Sequence, residues 1–350
     1  MNVFVVNPLE DHRWAAFVAL HPNASIFHTP EWLSALQQTY GYEPFVVTTS
    51  APCEEITNGI VVCRVRSWVT GSRFTSLPFS DHCQPLVDDV GTARQLLGAL
   101  LSAAHREHDR YVELRPAPEF ALPPELPYEC SCSYYLHELD LRPSLGQIYE
   151  RFHRSCVQRR IQHAERSSLR YEEGRSRDLL LKFYQLLALT RQRHGVPPQP
   201  MAWFENLVAY LGDRISIRMA WYENRPIAGI MTLIHRKTMV YKYGASDARF
   251  NHLGATPLLF WRAVQDGKAA GAEKFDLGRS DLDNNGLISF KAHWGASASI
   301  LRYYRHYCNA GAAKSESRSP TWLNACQLVV NRIPNRFLGT MGRLVYRHLG

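Results

Sequence analysis

What the 350-residue chain lacks narrows its chemistry first. No uninterrupted apolar run approaches the ~20 residues a helix needs to cross a bilayer, so integral membrane insertion is not expected. The opening MNVFVVNPLEDHRW is interrupted by Asn7, Pro8 and Glu10 after a few apolar residues, so a secretory leader is not expected either. Eight cysteines are scattered without a CxxC pair, which predicts free thiols in a cytoplasmic protein rather than a disulfide framework. Cys130 and Cys132 share one side of an extended segment, but no second ligand pair stands at a suitable spacing, and no metal is expected. There is no GxSxG elbow and no Cys/His signature, and His105 and His108 lack HExxH spacing, so hydrolase and metalloprotease readings fall away. The absence of an RNP motif or zinc finger removes support for sequence-specific DNA or RNA recognition.

What is present is ordinary globular composition, 45% hydrophobic and 21% charged, at a length sufficient for two domains. The formal charge of +8 favours anionic partners such as a phosphate-bearing donor, RNA or an acidic membrane surface. Much of it sits in residues 311–350, where Lys314, Arg318, Arg332, Arg336, Arg343 and Arg347 face one acid, Glu316.

Pattern divides the chain into an N-terminal α/β unit over 1–140, a second unit over 141–310, and a linker with basic amphipathic helices over 311–350. In the first, Thr29-Pro30 opens a helix carrying Trp32, Leu33 and Leu36 on one face. Extended runs PFVVTT and NGIVVCRVRSW, a helix from Thr92 to Arg106 and the strand YVELRP follow. The second unit predicts one helix from Ser144 to Ser167, the strand LRYEEG, and helices over 177–194 and 202–211. A meander of strands over 215–221, 227–235 and 238–244 comes next, then a helix over 256–270. Lys274 to Arg305 reads as strand, polar turn, short helix and second strand. An antiparallel meander followed by a helix and a further strand suits an α+β fold better than a doubly wound sheet. In the tail, Phe337, Leu338, Met341, Leu344 and Val345 share one helical face, with Arg336, Arg343 and Arg347 opposite. Docking on the core and peripheral contact with a membrane or tRNA through residues 320–350 both fit that pattern.

Asp276, Arg279, Asp281 and Asp283 are expected to gather where a strand ends, with Lys291 brought in by the next segment, as for an anionic or amine-bearing ligand. DLGRS (276–280), then GLISFKAHWG (286–295), then a Tyr-rich strand resembles the C-terminal half of Fem-type peptidyltransferases and related acyltransferases of the GNAT superfamily. The resemblance extends through Ser25–Pro44, Ser76–Val87, Arg159–Gly174 and Arg225–Asp247, and so spans most of residues 25–308.

The resemblance implies tandem GNAT-like units with mixed central sheets. It also implies an N-acyltransferase moving an acyl or aminoacyl group from acyl-CoA or aminoacyl-tRNA to a small-molecule or lipid-linked amine of a cell-envelope precursor, related to peptidoglycan or polysaccharide. Such transfer needs a donor held by its phosphates, a neutral amine and a stabilised oxyanion, and no covalent protein nucleophile. Lys291, in FK-x-x-W-G, matches the Fem-type lysine and is expected to face the donor or the developing charge, with Phe290 and Trp294 packing. Asp81 and His82 in PFSDH are candidates for taking the amine proton, although an Asx-turn with a surface histidine explains the same pair. Tyr241 and Tyr243 are expected on one strand face with Lys242 on the other, and Tyr243 is the substrate candidate.

Gly254, Ala255 and Thr256 stand where GNAT proteins carry their pyrophosphate loop; Asn251, Thr256 and Pro257 depart from the usual pattern there. Arg159 and Arg160, and Arg279, Ser280 and Asp281, are further substrate-binding candidates. No sustained charged heptads supply the helical arm of the staphylococcal enzymes, which leans toward an acyl-CoA donor. The alternative is a non-catalytic GNAT-fold binding protein attached to a membrane or partner by its C-terminal basic helix.

Overall fold

Short polar residues ahead of apolar stripes set the helix starts. Asp11, Thr29, Asp89, Ser144, Ser176 and Asn284 each accept a backbone N–H two or three residues on, satisfying donors that the first helical turn leaves open. The computed structural model describes residues 2–308, 342 and 345–348. Among them, one compact unit comprises 2–133, 300–308 and 345–348, and the other comprises 134–299 and 342.

The first unit contains β1 (Phe4–Val6), α1 (His12–Leu20), α2 (Pro30–Tyr40), β2 (Glu43–Thr48), β3 (Ile60–Val65), β4 (Arg73–Thr75), α3 (Val90–Arg106) and β5 (Tyr111–Leu114). The chain then gives β6 (Glu129–Asp140), α4 (Leu145–Glu150), α5 (Arg159–Arg166), β7 (Arg170–Gly174), α6 (Arg177–Arg193), α7 (Met201–Leu211), β8 (Ile215–Tyr222) and β9 (Arg225–His235). It closes with β10 (Thr238–Ser246), α8 (Ala255–Ala269), β11 (Lys274–Asp281), α9 (Asn285–Ala292) and β12 (Ser297–Tyr307).

Both units are built alike. In the first, β1 to β4 form an antiparallel meander, α3 crosses over, and β5 lies parallel to β4. In the second, β7 to β10 form the meander, α8 crosses over, and β11 lies parallel to β10. Each crossover strand gains an antiparallel partner from the far half of the sequence: β12 on β5, with Arg305 opposite Glu113, and β6 on β11. This is a tandem GNAT-like α+β architecture. The boundaries differ from those expected at 140 and 310, because the strand after each crossover strand contributes to the other unit.

Apolar strand faces meet the crossover helices. Leu96, Leu97 and Leu100 of α3 pack on Val47, Ile60, Val62, Phe74 and Val112. Leu259, Phe260 and Val264 of α8 pack on Ala220, Ile230, Met239 and Phe275. Buried charge is paired. Glu113 lies between Arg115 (2.7 Å) and Arg305 (2.5 Å); burial pushes its pKa up, but the two guanidiniums outweigh that and hold it at about 2. Buried Arg218 binds Glu173, Asp266 and Thr232.

The single helix expected from Ser144 to Ser167 is broken. His153 stops it: its side chain accepts the Cys156 N–H, its own N–H goes to the His293 carbonyl, and a π-helical turn (Arg154–Gln158) precedes α5. The linker and most of the tail lie outside the described residues. Residues 345–348 are helical and dock on the first unit: Tyr42 donates to the Tyr346 carbonyl, and Thr70 and Arg73 donate to that of His348. No described helix is long and apolar enough to cross a membrane.

Because the first unit requires β12, a fragment of residues 1–140 is expected to lack a cooperative unfolding transition and to aggregate through the uncovered β5 edge. Urea denaturation of that fragment against the full chain checks this; a cooperative, monomeric fragment would refute it.

Candidate functional site

β10 and β11 are paired only at Thr238–Lys274, Met239–Phe275 and Val240–Asp276, and then part. Each strand is bulged just beyond that point, β10 between Tyr241 and Tyr243 and β11 between Asp276 and Arg279. The β10 bulge overturns the expected shared tyrosine face. Tyr241 turns to α8, its ring 4.6 Å from Phe260, whereas buried Tyr243 turns to α7, meeting Phe204 edge to face and accepting the Trp203 indole N–H at 2.8 Å.

Beyond the parting strands lies a cavity of about 420 Å³. Its polar lining includes Cys156, Arg160, Asn251, Thr256, Ser289 and His293. The N-terminus of α8 opens into it through Ala255 and Thr256, and the first turn carries no side-chain cap. Gly254 is left-handed at φ 72°, and a Cβ there would overlap the Arg160 carbonyl oxygen, so only glycine lets α5 meet the start of α8 this closely. A helix N-terminus beside a guanidinium attracts an anion. From α9, Gly286, Ser289, Phe290 and His293 face the cavity at helical spacing. The break at His153 brings Cys156 to the same lining, and the His153 and His293 rings approach to 4.5 Å.

Lys291 lies on the other side of α9, away from this lining. It is 2% exposed, and its Nζ donates to the Gly278 and Arg279 carbonyls, both at 2.8 Å. The Asp276 carboxylate accepts the Gly278 N–H at 2.7 Å, so a carboxylate and an ammonium together fix the β11 bulge. His137 on β6 is buried near this group with no hydrogen-bond partner at either ring nitrogen, and the Ser280 hydroxyl is likewise buried without one. Burial, then the Lys291 charge, depresses the His137 pKa to about 4, against an opposing pull from Asp276. The four charges of DLGRSDLD do not gather. Asp276 goes inside, the Arg279 guanidinium stacks over Tyr134 at 4.2 Å, and Asp281 and Asp283 are exposed.

Asp81 and His82 belong to the other unit. Tyr303 donates its hydroxyl to the Asp81 carbonyl oxygen at 2.6 Å, and the His82 ring meets the edge of Phe27. Of the residues singled out in the sequence, the structure brings Arg160, Ala255 and Thr256 together around one cavity with Gly254 directly behind. Arg159, Tyr243, Arg279, Ser280, Asp281 and Lys291 are not in its lining. Cys156 and His293 were missed. The polar stripe from Gly286 to His293 was the available signal, and His137, a polar residue at a buried strand position, was the signal for the buried group.

Residues 151–286 match the family described as Acetyltransferase (GNAT) domain. No curated protein matches the chain. The crystal structure of FemX is similar at 14% identity and a TM-score of 0.71, over 88% of this chain and 97% of that one. A conserved protein of unknown function from Bacteroides thetaiotaomicron VPI-5482 follows at 12% identity and a TM-score of 0.59, over 86% and 97%. A tandem GNAT protein from the clavulanic acid biosynthesis pathway has 11% identity and a TM-score of 0.54, over 88% and 98%. The fold is therefore that of Fem-like and tandem GNAT proteins, and the central resemblance read in the sequence holds.

Two measurements test the buried group. With a folded pKa near 4 against an ordinary value of about 6.5, His137 resists protonation that the unfolded chain accepts, so stability falls as pH drops from about 6.5 toward 4. His137→Leu is expected to remove a component of at most about 3 kcal/mol from that fall, read by urea denaturation across the range. Lys291→Met is expected to cost about 2–5 kcal/mol because it strands two buried carbonyls; an unchanged midpoint would contradict the pinning role.

Proposed function

We propose that the protein is an N-acyltransferase whose donor is held by its phosphates at the α8 N-terminus, with acyl-CoA as the preferred donor and a cell-envelope amine as acceptor. The single observation that carries this is the cavity lined by the start of β9, Ser246 at the end of β10, and α9, where an uncapped helix start and Arg160 converge. The GNAT match over 151–286 and the FemX-like fold support the same reading.

The amine attacks the donor carbonyl, a tetrahedral oxyanion forms, and the thiolate or ribose oxygen leaves with a proton. His293 lines the cavity, and in this reading it takes the proton from the attacking amine. Lys291 acts as a positioning residue: it holds the β11 bulge and so the wall against which α9 sits. Asp81 and His82 lie in the first unit, outside this cavity's lining, and are given no step in the transfer. Arg159 and Asp281 are exposed and outside the cavity lining, which leaves them to a larger acceptor or to tRNA.

Thermal stabilisation by CoA, acetyl-CoA, longer acyl-CoAs and aminoacyl-tRNA tests the donor. A ligand at ~100 times its dissociation constant adds ~2.7 kcal/mol, and the expected result is a shift with acyl-CoA that Arg160→Ala weakens and His293→Ala preserves while losing turnover. A shift with charged tRNA alone would make the protein an aminoacyltransferase, and no shift with either would refute the reading.

A further inference from the structure

A second group of ligating side chains lies in the first unit, on residues that the proposed chemistry does not use. His105 lies in the last turn of α3, and His306 and Cys308 stand two residues apart at the end of β12 and just past it. The ligand atoms of the three side chains all lie within 4.8 Å of one another, and the two imidazole centroids are 5.2 Å apart.

The hydrogen bonds set the tautomers. His105 Nδ1 meets the Leu101 carbonyl at 2.8 Å and His306 Nδ1 meets the Pro127 carbonyl at 2.8 Å. A carbonyl oxygen only accepts, so each Nδ1 carries the hydrogen and each neutral ring presents an Nε2 lone pair. This carbonyl-anchored arrangement is the one that orients metal-binding histidines. The Nε2 of His306 is buried and has no hydrogen-bond partner. Neighbouring Tyr128, its ring 6.1 Å from that of His306, likewise has a buried hydroxyl without a partner. The Cys308 backbone is fixed by its N–H bond to the Arg110 carbonyl at 3.0 Å. The His153, Cys156 and His293 group, equally close, differs: His153 Nδ1 already accepts the Cys156 N–H, so its lone pair is used and its other nitrogen carries the hydrogen.

We infer that His105, His306 and Cys308 bind a divalent transition-metal ion of the zinc type through two Nε2 atoms and one thiolate, leaving a fourth position beside Tyr128. Zinc takes nitrogen at ~2.0 Å and thiolate at ~2.3 Å in a tetrahedron, so ligand atoms within 4.8 Å of one another must close to roughly 3.3–3.7 Å, a shift of about an ångström that leaves the two carbonyl bonds in place. Binding displaces the Cys308 thiol proton to solvent, and no electron transfer is involved. The ion joins α3 to the end of β12, fastening to the first unit the strand that arrives from the far half of the sequence. Sequence spacing did not show this because residue 105 stands some two hundred positions from the other two ligands.

Full-length protein stripped with chelator and titrated with cobalt(II) tests the assignment. A thiolate-to-cobalt charge-transfer band saturating at one equivalent is expected, displaced by zinc, and absent in Cys308→Ser but retained in Cys156→Ser. Zinc should raise the melting temperature of the parent and not of Cys308→Ser. His105→Ala, a change at an exposed side chain whose effect on folding is read by its melting temperature without metal, should weaken cobalt binding by more than the roughly 10–100-fold that loss of an outer hydrogen-bond partner costs. No band, a band surviving in Cys308→Ser, or one lost in Cys156→Ser would overturn the proposal.

Discussion

The parting of β10 from β11 is the constraint on which the second unit's site depends. Three paired residues hold the strands at one end, and a bulge in each prevents the ladder from continuing. Backbone groups that leave a ladder need other partners, and the fold supplies them from side chains. The Lys291 ammonium takes two β11 carbonyls and the Asp276 carboxylate takes an amide. Past the end of β10, Ser246 shares the cavity lining with the first residues of α8, whose start carries no side-chain cap. A buried lysine is thus used as a backbone cap, and the charge it brings inside is one reason why His137 beside it stays neutral.

The net positive charge of the sequence overstates what is free to meet an anion. Arg115 and Arg305 are taken up by Glu113, Arg218 by Glu173 and Asp266, Arg249 by Asp247, and Arg73 by backbone and hydroxyl oxygens of Thr70 and His348. A positive total is a property of composition, whereas attraction for phosphate depends on which guanidiniums have no internal partner. Arg160, bonded only at 3.4 Å to the Asn251 carbonyl, is better placed for that than the strongly paired arginines.

Element positions were legible because caps and periods agree. Thr29-Pro30 opens α2, Gly254 and Pro257 mark the start of α8, and the strands of the second meander end within one or two residues of expectation; β12 runs longer than expected, and β6 was not read as a strand at all. The Ser144–Ser167 helix failed because its stop is a histidine whose partner, the His293 carbonyl, lies far along the chain. The tyrosine faces failed because a bulge resets strand alternation without changing composition. Lys291 was found for its motif, but its burial was not, since burial depends on Asp276 and the carbonyls of Gly278 and Arg279 meeting it in space. Local rules report what a residue prefers, and long-range pairing decides what it touches.

The reciprocal contribution of β6 and β12 bears on how the protein is made. Synthesis delivers the N-terminal half first, at ~5–20 residues per second, yet the strand that completes its sheet is the last to leave the ribosome among the described strands. For many seconds β5 has no outer neighbour, and the nascent first unit carries an open edge. The second unit meets no such delay, because β6 precedes it and stands ready when β11 emerges. Folding during translation therefore runs against chain order, with the second unit closing before the first.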